Sequence, residues 1–186
     1  SDGSHRHHGT IATNLFMPAV LKLPHWEEQV KLTEEWMKGE TVIPEIADLW
    51  PTGPVASLDL LAPGTVAPGQ VLELPVIVKN RKAGHNFITG PLDFLRAWVH
   101  LTIRDADGKL LAEWGGIDPV TRGILDEPGV LHKPGRPRDA GTLVLEGVPL
   151  DGTGNELTKH DLWRKAGGSG NRVVFPRYAD KQVYHF

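Results

Sequence analysis

Cysteine is absent from the 186 residues. That removes disulfides, thiol nucleophiles and covalent c-type haem attachment through C-x-x-C-H together. The absence suits a periplasmic protein that avoids mispairing, and it suits many cytoplasmic proteins equally. Long hydrophobic runs are also missing: no apolar stretch approaches the roughly 18 residues a membrane-spanning helix needs. Charge of one sign is scarce, with a net charge of −3, so neither nucleic acid nor an anionic membrane surface finds an electrostatic footprint. Enzyme signatures are missing as well. There is no G-x-S-x-G, no P-loop, no dinucleotide-binding glycine pattern after a strand and no H-E-x-x-H, so catalysis on this chain is not expected. The chain opens on Ser1 with no Met and no charged apolar leader, which reads as a processed product or a piece of something longer.

What is present points to β structure. Gly and Pro are abundant, at 21 and 15, beside an ordinary 40% apolar content, a balance that implies many turns rather than disorder. The clearest signal follows the turn Ala83-Gly84-His85-Asn86-Phe87-Ile88-Thr89-Gly90-Pro91-Leu92-Asp93. In it Leu95, Ala97, Val99, Leu101 and Ile103 alternate with Arg96, Trp98, His100, Thr102 and Arg104, the period of two that marks a half-buried strand. Asp105-Ala106-Asp107-Gly108 reads as a hairpin turn into Lys109–Trp114. It lacks the further ligands of a calcium loop.

Other strands are expected at Ser57–Leu61, Gln70–Asn80, Thr142–Val148, Arg172–Phe175 and Gln182–Phe186. Pro75 demotes the second of these to an edge strand or a bulge. Gly115–Ala140 reads as a surface excursion, Leu157–Lys165 as a short strand or helical turn, and Gly167–Gly170 as a flexible tip. Ahead of the β region, residues 1–10 form an irregular arm, and Ile11–Leu23 is a short helix or an extended segment. Pro24–Lys38 is an amphipathic helix with Glu27 and Glu28 at its start, Gly39 as its stop and a stripe of Trp26, Val30, Thr33 and Met37. The expected architecture is mainly β: an immunoglobulin-like β-sandwich over 55–186, preceded by an arm, one amphipathic helix and a Pro-rich linker over 1–54.

Two groups of residues are candidates for a site. His5, His7 and His8 form the densest cluster of potential ligands for a metal or for the iron of a haem held by another chain, with solvated terminal histidines as the plainer account. Surface contacts for a partner are assigned to Trp26 and Trp36, which need a lid, to His85 and Phe87 in the turn, to His100 on the polar side of its strand, and to Phe186, which ends a strand without a polar tail. For His85 the competing account is a ring satisfied by backbone carbonyls at a buried corner. A sugar-binding sandwich that stacks on Trp98, Trp114 and Trp163 is a further alternative, with those rings in the core as the plainer account.

The run Gly84–Asp93 with Ala97–Gly108 resembles the β-sandwich domain that follows the haem-binding region in periplasmic multihaem c-type cytochromes, whose pattern is G-H-x-F-P-T-G-x-x-D, a Trp-containing strand and a D-A-x-G hairpin. His5-Arg6-His7-His8-Gly9 is similar to that family's H-R-F-x-G element. Ile88 stands where the family has proline, His7 where it has phenylalanine, and every haem-attachment motif is missing. The resemblance implies a haem-less relative with no covalently bound cofactor. Such a relative would be a periplasmic, non-catalytic accessory subunit, docked to a multihaem cytochrome or to a membrane-bound photosynthetic or respiratory electron-transfer complex. A haem ligand at His5 would then serve iron carried by the partner.

Overall fold

A computed structural model describes residues 15–42, 44, 47–48, 53–88, 96–135, 137, 140–157 and 161–186. His5, His7 and His8, and the 89–95 portion of the turn, lie outside the described residues.

Two helices, rather than the single one expected, precede the β domain. α1 spans Phe16–Leu21, so the described part of the stretch expected as a short helix or an extended segment is helical there. Pro18 falls in its first turn, where a missing N–H leaves no intrahelical bond unmade. α2 spans Trp26–Lys38, with Glu27 and Glu28 in its first turn and Gly39, at φ 82°, as its cap. Thr33, from the expected stripe, and Trp36 are its buried residues, whereas Leu32 is exposed. The Val55 N–H donates to the Met37 carbonyl at 2.9 Å, which ties the end of the helix to the start of the β domain.

The domain is mainly β and antiparallel. β1 (Ala56–Leu60), β2 (Glu73–Asn80) and β10 (Ala179–His185) form one sheet in the order β1-β2-β10. β3 (Ala97–Trp98), β8 (Val144–Leu150) and β9 (Gly167–Arg172) form a second, in the order β3-β8-β9. β4 (Leu101–Arg104) pairs with β5 (Leu110–Trp114), and β6 (Leu125–Glu127) with β7 (Val130–Leu131). Leu74, Val76, Val78 and Tyr184 from the first sheet meet Val99, Leu143, Leu145 and Val174 in one buried cluster. The architecture is that of a β-sandwich held by apolar burial between two layers.

The alternation from 97 to 104 is borne out, with Val99 buried and Trp98, His100, Thr102 and Arg104 exposed. The expected single strand is nevertheless two: β3 pairs with β8, and β4 pairs with β5, so the chain changes sheets around Val99 and His100. The Asp105–Gly108 turn closes the β4–β5 hairpin, and Asp105 Oδ1 accepts the N–H groups of Asp107 and Lys109.

Three sequence expectations are corrected. β2 carries Pro75 yet lies in the centre of its sheet. The Pro75 carbonyl accepts the Leu61 N–H at 2.9 Å, so its ring nitrogen faces the side on which β1 has already ended, and Val183 on the other side is a pair that exchanges no hydrogen bonds. Gly167–Gly170 is no flexible tip but the first part of β9, laddered onto β8. Gly115–Ala140 is not merely a surface excursion. It contains the β6–β7 hairpin and the fully buried Asp126.

Candidate functional site

The sandwich carries its polar chemistry in one cleft of about 110 Å³, lined by His132, Thr142, Glu146 and Arg172 among others. Four strands and a loop bring these groups together. β8 supplies Glu146 from the middle of its buried run, β9 ends in Arg172, the β6–β7 hairpin supplies Asp126 and leads into His132, and β10 carries Asp180, Gln182 and Tyr184 on its inward row. Glycines allow the close approach. A Cβ on Gly141, at φ 75°, would overlap the Asp126 side chain, and one on Gly170 would collide with the backbone of Gly135 across the cleft.

The His132 ring lies between two carboxylates. Nδ1 is 2.9 Å from Asp126 Oδ1 and Nε2 is 3.1 Å from Glu146 Oε1. Burial by itself lowers the pKa of His132. The hydrogen bonds to Glu146 and Asp126, reinforced by their charges, outweigh it and raise the pKa above the ordinary 6.5. The Glu146 side chain is only 4% exposed, and Arg96 Nε stands 3.1 Å from its second oxygen. That approach is an ion pair without hydrogen-bond alignment, since Oε2 accepts no hydrogen bond.

The network runs on through the core. Thr142 gives its N–H to Asp126 and its hydroxyl to the Val99 carbonyl. Tyr184 Oη therefore donates to Thr142 Oγ1 and accepts the Leu143 N–H, both at 3.1 Å. Burial raises the Tyr184 pKa, and the bonds from Thr142 and Leu143 act against that rise. Beside it, Arg172 donates Nε–H to Asp180 at 2.6 Å and also reaches Gln182. Both His132 nitrogens are thus engaged by carboxylates, while Glu146 Oε2 keeps only its ion pair with Arg96. Among the described residues no cluster has the makings of a metal site.

A second feature lies on the same sheet. Leu58 is paired with Val78 and Leu60 with Val76, and directly opposed residues share a face, so both leucines stand on the core side of the sheet. They are nonetheless 61% and 50% exposed. Among the described elements β1 packs chiefly on its neighbour β2. Leu72, paired with Phe186 through both backbone hydrogen bonds, carries the same face to its end, where Phe186 is 49% exposed. Exposed apolar side chains thus rim this sheet at two opposite edges, Leu58 and Leu60 on β1 and Phe186 at the end of β10.

The sequence candidates fall in several places. Phe186 belongs to the rim. Trp36 and Phe87 are used within the chain: Trp36 is buried beneath Lys82, whose Nζ lies 5.2 Å from the ring, and Phe87 bridges Val174 and packs on the core. Trp26 is half-buried under Lys22. His85 is exposed rather than buried, its Nδ1 3.1 Å from the Asn86 carbonyl, and the pin of that corner is instead Asn80, whose side chain bonds His85 O, Val174 O and Ala83 N. His100 is exposed and paired with Glu113 at 2.8 Å. Trp114 stacks edge-on against Tyr184 in the core at 5.4 Å, Trp98 donates to the Gly115 carbonyl, and Trp163 stands exposed.

Asp126, His132, Glu146, Arg172 and Asp180 escaped the sequence reading, because their separations match no ligand spacing. The available signal was Glu146 within Val144-Leu145-Glu146-Gly147-Val148, a charge at an inward position that demands a buried partner. Searches against protein-family models, curated proteins and solved structures find no match.

Proposed function

We propose that the chain is a non-catalytic accessory subunit that docks on a periplasmic multihaem cytochrome, or on a membrane electron-transfer complex containing one, and stabilises it. The observation that carries this reading is the uncovered rim of Leu58, Leu60 and Phe186. Apolar side chains on the core side of a sheet gain about 1–2 kcal/mol each when a neighbour removes their remaining exposure, and the two neighbouring leucines of β1 offer such a surface at one edge of the sheet. The resemblance of Gly84–Gly108 to a cytochrome-associated sandwich supplies the kind of partner. The engagement of both His132 nitrogens supports a non-catalytic role. His5, His7 and His8 belong to the proposal as ligands that would reach a haem held by the partner.

The test is purification of the native chain from its source in mild detergent, with haem absorbance followed across every fraction that contains it. Co-elution with a c-type cytochrome at fixed stoichiometry is the expected result. A chain that elutes free of haem throughout would falsify the reading.

A further inference from the structure

We propose that His132 is a proton-operated clasp: its charged ring holds the β6–β7 hairpin against β8, and loss of the proton releases the hairpin. The geometry requires two donors. Asp126 on the hairpin and Glu146 on β8 each present an oxygen to one ring nitrogen, at 2.9 and 3.1 Å, and ionised carboxylates only accept. A neutral imidazole has one N–H, so one carboxylate would then face a ring lone pair inside a buried site.

Among the described residues, the charged and titratable groups around the ring come from three strands. On β8, Glu146 is met by Arg96, which precedes β3. On β9, Arg172 lines the same cleft and is bound to Asp180 of β10. From β10, Tyr184 reaches Asp126 only through Thr142. The ring thus stands directly between Asp126 and Glu146, with the guanidinium groups of Arg96 and Arg172 beyond them. The hairpin has a lever on the ring, because the His132 N–H donates to Ile124 O while Leu125 exchanges hydrogen bonds with Gly115 and Gly116.

The direction of the pH effect follows from the raised pKa. The stabilisation is complete below the ordinary histidine value of 6.5 and is lost as pH rises through the higher folded value. Linkage limits the gain in hairpin opening to about tenfold for each unit by which the folded midpoint exceeds the ordinary one.

The measurement is a ¹⁵N titration of the imidazole signals in the full chain from acid to alkaline pH, together with amide exchange at Leu125, Asp126 and His132. Exchange is corrected for its intrinsic dependence on hydroxide. The His132 midpoint is expected above 6.5, with both nitrogens protonated below it, and hairpin exchange is expected to accelerate through the same midpoint by the factor that the shift allows. The Glu146→Gln variant keeps the shape and removes one charge, so its midpoint should fall and the acceleration should shrink in step. His132→Gln should abolish the acceleration, and should it fail to fold, the Glu146→Gln comparison decides. A midpoint at or below 6.5, or exchange that does not follow the midpoint, overturns the clasp.

Discussion

The inward face of the β1–β2–β10 sheet reverses the usual order from one edge to the other. Along β10 the inward row is Asp180, Gln182 and Tyr184, polar and buried. Along β1 it is Leu58 and Leu60, apolar and exposed. Cover decides this, not residue type. β10 lies where Arg172 and Thr142 of the facing layer reach across and satisfy it, while β1 packs chiefly on β2. The difference teaches where this molecule is complete and where it is open. The polar row is paired across the core, whereas the apolar row stands open to water.

The largest effect should come from breaking the polar edge. Asp180→Ala removes the carboxylate that accepts from Arg172 Nε and Nη2, and removal of one member of a buried ion pair costs about 3–5 kcal/mol. Urea unfolding should show that loss. The double change Arg172→Met with Asp180→Leu should recover most of it, because the pair is held together against its own desolvation. Should Asp180→Ala cost less than about 1 kcal/mol, the edge is wetter than its geometry implies.

How far this contrast was legible in the sequence depends on range. The strand expected at Gln70–Asn80, which forms as Glu73–Asn80, and the turn Asp105–Gly108 were readable, because each is set by near neighbours. Pro75 misled, because a proline in a central strand is tolerable only where the adjoining strand stops, and where β1 stops is a fact about Leu61. The Asp126–His132–Glu146 cluster and the Arg172–Asp180 pair were unreadable for a related reason: Glu146 and Arg172 meet through strand pairing, and no spacing along the chain encodes that. The glycines of Gly167–Gly170 looked like slack, yet at Gly170 the missing side chain is what lets β9 approach the backbone of Gly135.

An intermediate effect is expected at Asn80, on the inward row of the central strand. Its amide donates to His85 O at 2.9 Å and to Val174 O at 3.1 Å, while its oxygen accepts the Ala83 N–H. Asn80→Ala strands these groups and should cost about 1–3 kcal/mol. Hydrogen exchange should also rise at Ala83, the amide that loses its acceptor. Asn80→Asp keeps the acceptor and loses the donors, so it should leave Ala83 protected. Equal exchange at Ala83 in both variants would separate Asn80 from the corner it is held to organise.

The smallest effect on the isolated chain should come from the apolar edge, and the smallness is the point. Leu58→Thr with Leu60→Thr introduces β-branched residues suited to a strand and removes apolar surface that is already half in water. Exposed changes of this kind move stability by no more than about 0.5 kcal/mol each, so the urea midpoint of the lone chain should barely shift. A buried leucine cut back in this way would cost several times more. The same two changes should lower retention on the haem-containing complex, because only there are these side chains taken out of water. An unchanged midpoint with lost retention identifies the leucines as interface. A midpoint lowered by the amount typical of core leucines would instead show that β1 is covered by its own chain in solution, and the contrast between the two edges would disappear.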